Sequence, residues 1–207
     1  MLDFTKTLAR EYFLKLKNTW DILPLIKDIL PALQDNLPRS KYKEILPDVW
    51  AEKTAVIAET AYIKGPAIIG AGTEVRHCAF IRGNALIGAN CVIGNSTEVK
   101  NSIIFDGVQV PHFNYVGDSI LGYKAHFGAG AITSNVKSDR SLIGNTGLKK
   151  FGAIAGDYTE VGCNTVLNPG TIIGKNSVIY PCSCVRGTVP ENCIYKSRDL
   201  IVRKEVQ

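Results

Sequence analysis

The sequence predicts an all-β protein, a parallel β-helix built from hexapeptide repeats and preceded by an α-helical extension. Three observations indicate this class. An aliphatic residue recurs at every sixth position, a small residue stands two places before most of them, and the first 47 residues have helical spacing instead. We assign residues 1–47 to the extension, 48–195 to the β-helix and 196–207 to a C-terminal tail.

The extension carries apolar residues at helical spacing but contains several prolines. Every fourth residue from Phe4 to Trp20 is apolar, which predicts one apolar stripe. Pro24 and Pro31 should divide the residues after Trp20 into short helices, because proline removes a backbone hydrogen bond and clashes with the preceding turn. We expect the extension to pack over one end or side of the β-helix rather than to bind a partner or a membrane surface.

The sixfold repeat is strongest in two blocks, with an irregular segment between residues 100 and 160 where loops and binding residues are expected. Three hexads form a triangular coil of about 18 residues, and coils stack at the ~4.8 Å spacing of strands. Glycine often follows the aliphatic residue, where we expect it to supply the positive φ of a tight corner. The repeated aliphatic positions are Ile57, Ile63, Ile69, Val75, Ile81, Ile87, Ile93 and Val99, then Val161, Leu167, Ile173, Ile179 and Val185.

Composition excludes several classes of protein. The mean hydropathy is +0.05 and no apolar run approaches the ~18 residues of a membrane span, and the first residues do not resemble a secretory signal, so we expect a cytoplasmic protein. The net charge of +5 favours small anionic ligands, and the lack of a dense Lys/Arg run argues against nucleic-acid binding. The six cysteines include no C-x-x-C pair and are predicted to be structural or incidental.

The hexapeptide pattern resembles that of left-handed β-helix acyltransferases, and the left hand of the coil is inferred from that resemblance. Residues 81–135 resemble, without gaps, the acetyltransferase domain of the bifunctional glucosamine-1-phosphate acetyltransferase / N-acetylglucosamine-1-phosphate uridyltransferase family. A later stretch, 149–156 with 168–170, is similar to the solenoid of archaeal-type sugar-1-phosphate nucleotidyltransferases. The matching motifs are Ile81-Arg82-Gly83, Gly94-Asn95-Ser-Thr-Glu98-Val-Lys100, His112-x-x-Tyr115-x-Gly117-Asp118, Gly128-Ala-Gly130 and Thr133-Ser-Asn135.

The resemblance implies a role for each matched residue on the acceptor side. His112 would be the general base that takes a proton from the acceptor amine. Arg82 and Lys100 would hold the phosphate of the sugar, Tyr115 would position the sugar, and His126 stands where the family has an asparagine.

The resemblance also implies the cofactor residues and the assembly. The acetyl-CoA residues would be the backbone of Ala129, with Asn135, Cys163 and Arg198. Glu98 would orient Lys100 or pair with it, and Lys137 and Arg140 are candidates for a further substrate cation. The family also implies a homotrimer with sites between prisms, and we expect Val108, Val110 and Ile120 to contribute apolar surface to its contacts.

These inferences predict an acetyl-CoA-dependent N-acetyltransferase of nucleotide-sugar metabolism. Its acceptor would be an amino-sugar phosphate of the glucosamine-1-phosphate type, as in the UDP-N-acetylglucosamine pathway, or a nucleotide sugar. We expect no uridyltransferase (pyrophosphorylase) half, because residues 1–47 are too short for an α/β nucleotidyltransferase domain and lack a Gly-rich loop.

Two alternatives remain open at this point. One is a non-catalytic scaffold or regulatory subunit of a nucleotidyltransferase, with the extension as its docking element. The other is a γ-class carbonic anhydrase, which holds zinc with three histidines. His77, His112 and His126 are 35 and 14 residues apart, unlike the close pair of that class, so we expect no metal site.

Overall fold

A computed structural model describes residues 1–205, so the last two residues of the predicted tail lie outside the described part. The N-terminal extension contains a 3-10 helix (Phe4–Lys6), helix α1 (Arg10–Phe13), a second 3-10 helix (Thr19–Leu25) and helix α2 (Ile26–Asp35). Strand β1 (Tyr42–Leu46) follows and pairs antiparallel with the first strand of the β-helix.

Eight coils form a triangular prism with three parallel sheets as its sides. We name the sheets A, B and C after the order in which each coil passes through them. The coils contain, in order, β2 (Val49–Glu52), β3 (Val56–Ile57) and β4 (Tyr62–Ile63); β5 (Ala67–Ile69), β6 (Glu74–Val75) and β7 (Phe80–Ile81); β8 (Ala85–Ile87), β9 (Val92–Asn95) and β10 (Glu98–Lys100); β11 (Ser102–Ile104), β12 (Gln109–His112) and β13 (Tyr115–Gly117); β14 (Ile120–Leu121), β15 (His126–Phe127) and β16 (Ile132–Thr133); β17 (Ala153–Ala155), β18 (Glu160–Val161) and β19 (Val166–Leu167); β20 (Thr171–Ile173), β21 (Val178–Ile179) and β22 (Cys184–Val185); then β23 (Thr188–Val189) and β24 (Cys193–Ser197), after which β25 (Leu200–Arg203) returns antiparallel to β24.

The prism interior is filled by the repeated aliphatic residues, as predicted. They form one continuous core from Val49 to Tyr195, with small residues such as Thr73 and Thr165 buried beside them. Cys91 occupies one of the small inward positions, and burial raises the pKa of its thiol to about 12. That thiol is therefore protonated at neutral pH, which fits the structural role expected for it.

Glycine does follow the aliphatic residue at several corners, but the expectation that it supplies a positive φ there was wrong. Gly70, Gly88 and Gly94 do not adopt positive φ; a Cβ at Gly94 would meet the Pro111 carbonyl oxygen of the next coil at 1.6 Å. Glycine is needed here because stacked coils approach closely. The left-handed positions come two residues after these glycines, as at Gly72, Asn90 and Ser96. Asparagine tolerates that region and is the most frequent residue there after glycine; the asparagines are Asn84, Asn90, Asn101, Asn164, Asn176 and Asn192.

The repeat is less interrupted than the sequence indicated. Coils four and five are intact, but the corners before β11 and β14 are each one residue short, so aliphatic positions are five apart at Val99–Ile104 and Val116–Leu121. A one-residue deletion shifts the period without breaking the coil. The irregular insertion is confined to 134–152, and its Ile143 and Phe151 are buried.

The extension covers the outer face of sheet A, which confirms a packing role on one side of the prism. A second core joins its helices to outward-facing aliphatic residues on successive strands of that sheet, and the ring of Phe105 packs at a tilt against those of Phe4 and Phe13. Asp157 anchors the beginning of the chain, since its carboxylate accepts the backbone N–H groups of Asp3 and Tyr123, each at 2.7 Å. The outward-facing residues are Ile68, Leu86, Ile103, Ile120 and Ile154.

Three expectations for these regions were wrong. The stripe from Phe4 to Trp20 is not one helix, and Leu8 within it is 46% exposed. Pro31 lies inside helix α2 instead of ending it, because the buried face of that helix packs on sheet A. The apolar residues Val108, Val110 and Ile120 are fully buried, the two valines inside the prism and the isoleucine under the extension.

Candidate functional site

Successive strands of sheet C bring the predicted acceptor residues together. Arg82 follows β7 directly, and Lys100 ends β10 one coil later, because the two residues are 18 positions apart. Tyr115 begins β13 and lies beside Glu98 in the strand register. All three predicted residues therefore share one side of the prism, within three coils.

Each cation of this group contacts a carboxylate. The Arg82 guanidinium contacts Glu98 Oε1 at 2.7 Å, and Lys100 Nζ contacts Asp118 Oδ2 at 2.9 Å. The expectation that Glu98 would orient or pair with Lys100 was therefore wrong. Lys100 pairs with Asp118 instead, because the carboxylate of Asp118 is buried and a buried charge needs a counter-charge. A guanidinium has five N–H donors and an ammonium three, so both cations retain donors for a phosphate.

Asn135 lies in this same group. Its amide donates to the hydroxyl oxygen of Tyr115 at 3.2 Å and to Asp118 Oδ2. Burial raises the pKa of the Tyr115 hydroxyl, which therefore stays protonated and can donate to a ligand. The resemblance assigned Asn135 to the cofactor, whereas its contacts here are with the acceptor-side residues.

His112, Ala129 and Cys163 occupy the corner between sheets B and C on three successive coils. Backbone hydrogen bonds connect these corners: Gly130 N donates to His112 O at 3.0 Å, and Asn164 N donates to Ala129 O at 2.8 Å. The His112 side chain is exposed, and in residues 1–205 no side-chain hydrogen bond restrains its imidazole. His112 is three residues before Tyr115, at the end of the strand that comes before β13 in the same coil.

Two predicted residues lie elsewhere. His126 is on sheet B, where its Nδ1 is 2.8 Å from Glu160 Oε2 in a groove also lined by Lys124. Arg198 is at the C-terminal end of the prism, near Arg186. The structure does not bring these two residues to the acceptor-side group.

Sequence reasoning gave no role to two residues that the fold adds to this group. Asp118 lies within a matched motif, but its function as a common acceptor depends on side-chain packing. Lys64 precedes Arg82 by one coil and faces the same column, as the hydrogen bond from Lys64 N to Ile81 O indicates. The 18-residue spacing from Lys64 to Arg82 and again to Lys100 was the available signal.

The insertion holds the other two candidate cations. Lys137 Nζ donates to Ser141 Oγ at 2.9 Å and to the Leu142 carbonyl at 3.1 Å, both within the insertion. Arg140 is exposed in the same loop. Neither cation contacts the acceptor-side group.

The described residues offer neither a metal cluster nor a membrane segment. Among residues 1–205, no three His, Cys, Asp or Glu side chains are placed to hold a metal ion. His77 and His112 lie on the corner between sheets B and C, two coils apart, whereas His126 is on sheet B. No helix in that part of the chain is long and apolar enough to cross a bilayer.

Curated relatives match most of this chain but are much longer. A bifunctional protein GlmU of Methanococcus maripaludis is 39% identical over 124 residues, which cover 56% of this chain and 30% of that protein. A bifunctional sugar-1-phosphate nucleotidylyltransferase/acetyltransferase of Sulfurisphaera tokodaii is 32% identical over 204 residues, 86% of this chain and 47% of that protein. The chain thus spans less than half the length of these two relatives.

A solved structure supports the fold, and a family profile identifies the family. The hexapeptide transferase family protein of Anaplasma phagocytophilum superposes with a TM-score of 0.53 at 19% identity, over 77% of this chain and 81% of that one. This similarity confirms the left-handed parallel β-helix, and the structure itself shows the N-terminal helical extension. The profile described as the GMPPB C-terminal domain matches residues 63–189, well over half of the chain. The chain therefore belongs to the GMPPB C-terminal domain family.

Proposed function

We propose that this chain transfers the acetyl group of acetyl-CoA to the amine of an amino-sugar phosphate of the glucosamine-1-phosphate type, or of a nucleotide sugar. The observation that carries the proposal is the convergence of Arg82, Lys100 and Tyr115 on sheet C, with the exposed His112 at the end of the strand that precedes β13 in the same coil. Two cations, a hydroxyl and a base are what a phosphorylated amino sugar requires. The word acetyltransferase in the name of the Sulfurisphaera tokodaii relative supports the same activity.

The acceptor would be held at both ends. Its phosphate would accept hydrogen bonds from Arg82 and Lys100, and Lys64 adds positive charge to the same column. The Tyr115 hydroxyl would donate to the sugar ring. This arrangement directs the amine toward the corner that holds His112.

Acyl transfer requires that the amine lose a proton and that a C–N bond replace the C–S bond of the thioester. The amine nitrogen attacks the thioester carbon, and the imidazole of His112 takes the proton that the nitrogen loses. The new C–N bond forms, the C–S bond breaks, and the thiolate of coenzyme A leaves and is protonated. An imidazole suits this role because it exchanges a proton near neutral pH.

Acetyl-CoA would lie along the corner between sheets B and C. The Ala129 N–H donates no hydrogen bond within residues 1–205, so it can donate to the oxygen of the thioester as negative charge develops there. Cys163 lines the next coil, and Arg198 would meet a phosphate at the far end of the cofactor. Ala129 and the last coil are three coil spacings apart, about 14 Å, which an extended pantetheine chain can span.

An acceptor panel tests the proposed activity. The purified chain is incubated with acetyl-CoA and each of several amino-sugar phosphates and nucleotide sugars, and free coenzyme A thiol is measured. We expect thiol release that depends on one acceptor of this class. Absence of acceptor-dependent release across the panel would favour the scaffold alternative instead.

Replacing Arg198 tests the cofactor end of the site. Arg198→Ala should weaken acetyl-CoA binding about 10- to 100-fold by calorimetry, because a charge-assisted contact to phosphate is lost. Arg203→Ala is the matched control, an exposed arginine at the end of β25. Equal affinities for the two variants would remove Arg198 from the cofactor site.

A homotrimer with sites between prisms is part of the proposal. The extension buries the outer face of sheet A, so contacts between copies would use sheets B and C. Sheet C carries exposed apolar side chains at Tyr62, Phe80 and Ile132. Sedimentation equilibrium should give three times the chain mass at micromolar concentration, and a monomer there would contradict a site shared between chains.

A further inference from the structure

Asp118 is a buried carboxylate at the centre of the acceptor-side group. Its side chain is 5% exposed, yet its two oxygens accept from three side chains. Oδ2 accepts from Lys100 Nζ at 2.9 Å and from the Asn135 amide, and Oδ1 accepts from Asn101 Nδ2 at 2.9 Å. Because a buried carboxylate is costly without partners, the positions of these side chains depend on one another.

Asn101 connects this carboxylate to the N-terminal extension. Its amide nitrogen donates both to Asp118 and, at 3.2 Å, to the backbone carbonyl of Leu23. Leu23 is buried in the 3-10 helix Thr19–Leu25, whose apolar residues pack on sheet A. A primary amide has two N–H groups, so this one side chain can serve the helix and the carboxylate together.

The backbone favours asparagine at this position. Asn101 has a φ of +45°, in the left-handed region that asparagine tolerates better than most residues. It also lies in the first of the two shortened corners, between Lys100 and Ser102. The tight turn and the two hydrogen bonds together determine where its amide lies.

We infer that the extension positions the acceptor site, acting through the Leu23 carbonyl, Asn101 and Asp118; this inference rests on the proposed function. Asn101 and Asp118 are positioning residues. Without the amide bridge, Asp118 loses one of its donors and Lys100 loses its defined location. Acceptor binding would then weaken, whereas acetyl-CoA binding at the corner between sheets B and C would not.

Asn101→Gly tests this relation, because glycine keeps the left-handed backbone and removes only the bridge. Asn84→Gly is the matched control: Asn84 has a φ of +49°, holds the same corner one coil earlier, and its side chain makes no hydrogen bond within residues 1–205. With glucosamine 1-phosphate as the probe, Asn101→Gly should raise the acceptor KM about tenfold and change the acetyl-CoA KM less than about twofold. Asn84→Gly should leave both values near those of the unmodified chain.

A second readout does not depend on activity. After reductive 13C-methylation, the Lys100 resonance, assigned with Lys100→Arg, should move in Asn101→Gly and stay in place in Asn84→Gly. If the unmodified chain does not use glucosamine 1-phosphate, that compound is not its acceptor, and the Lys100 resonance alone tests the inference. An unmoved resonance, or a parallel loss of acceptor and acetyl-CoA binding in Asn101→Gly, would overturn it.

Discussion

His112→Ala is expected to lower the rate of acetyl transfer by about 10²- to 10⁴-fold, the usual cost of removing a general base. The melting temperature should stay nearly unchanged, because the imidazole is exposed and makes no side-chain hydrogen bond in residues 1–205. A histidine that served packing would show the opposite pattern, with a lower melting temperature and retained activity. Steady-state assay and thermal melting of the same preparation therefore separate the two roles.

His77→Ala is the matched control for that experiment. His77 is also an exposed histidine on the corner between sheets B and C, two coils earlier, and has no place in the proposed chemistry. We expect it to retain full activity. Equal losses in the two variants, or full activity in both, would contradict the role of His112 as the base.

Phe105→Ala should lower the free energy of unfolding by about 3–5 kcal/mol, the range for a large aromatic residue removed from a core. Phe105 is fully buried between sheet A and the extension, with its ring centroid 5.7 Å from that of Phe13 and 6.4 Å from that of Phe4. The cavity would weaken the packing of the extension on the prism, because Phe105 belongs to the core that joins them.

Denaturant unfolding measures this effect, with Phe113→Ala as the control. Phe113 is 61% exposed, so its removal should change stability by less than about 0.5 kcal/mol. Limited proteolysis of the folded variants is a second measurement. The extension should be cleaved faster than in the unmodified chain only in Phe105→Ala. Equal stabilities of the two variants would mean that the extension does not contribute a cooperative core.

The coils could be predicted because a strict six-residue period in the sequence determines their geometry. An inward aliphatic residue at every sixth position leaves few other folds, and the interior of the prism follows that period except at two short corners and the insertion 134–152. The two short corners could not be predicted, since the loss of one residue near Asn101 resembles the end of a repeat in the sequence. The short helices were also missed in detail, because they depend on packing against sheet A more than on their own spacing.

The candidate site was predictable in its cations but not in its hydrogen bonds. The 18-residue interval between Arg82 and Lys100 is one coil, so their proximity follows from the period alone. The carboxylate that pairs with each cation does not follow from the period, because it depends on which acidic side chain is buried. The buried Asp118 pairs with Lys100, and Glu98 pairs with Arg82 on the neighbouring strand.

The measurement that tests the proposed function most directly is the identity of the product formed from acetyl-CoA and an amino-sugar phosphate. The unmodified chain is incubated with 13C-acetyl-CoA and glucosamine 1-phosphate, and the mixture is analysed by NMR and mass spectrometry. We predict an acetyl group bonded to the sugar nitrogen, formed in step with free coenzyme A, and absent from a parallel reaction with His112→Ala. Tight acetyl-CoA binding with no labelled amide on this or any other amino sugar tested would contradict the proposed chemistry.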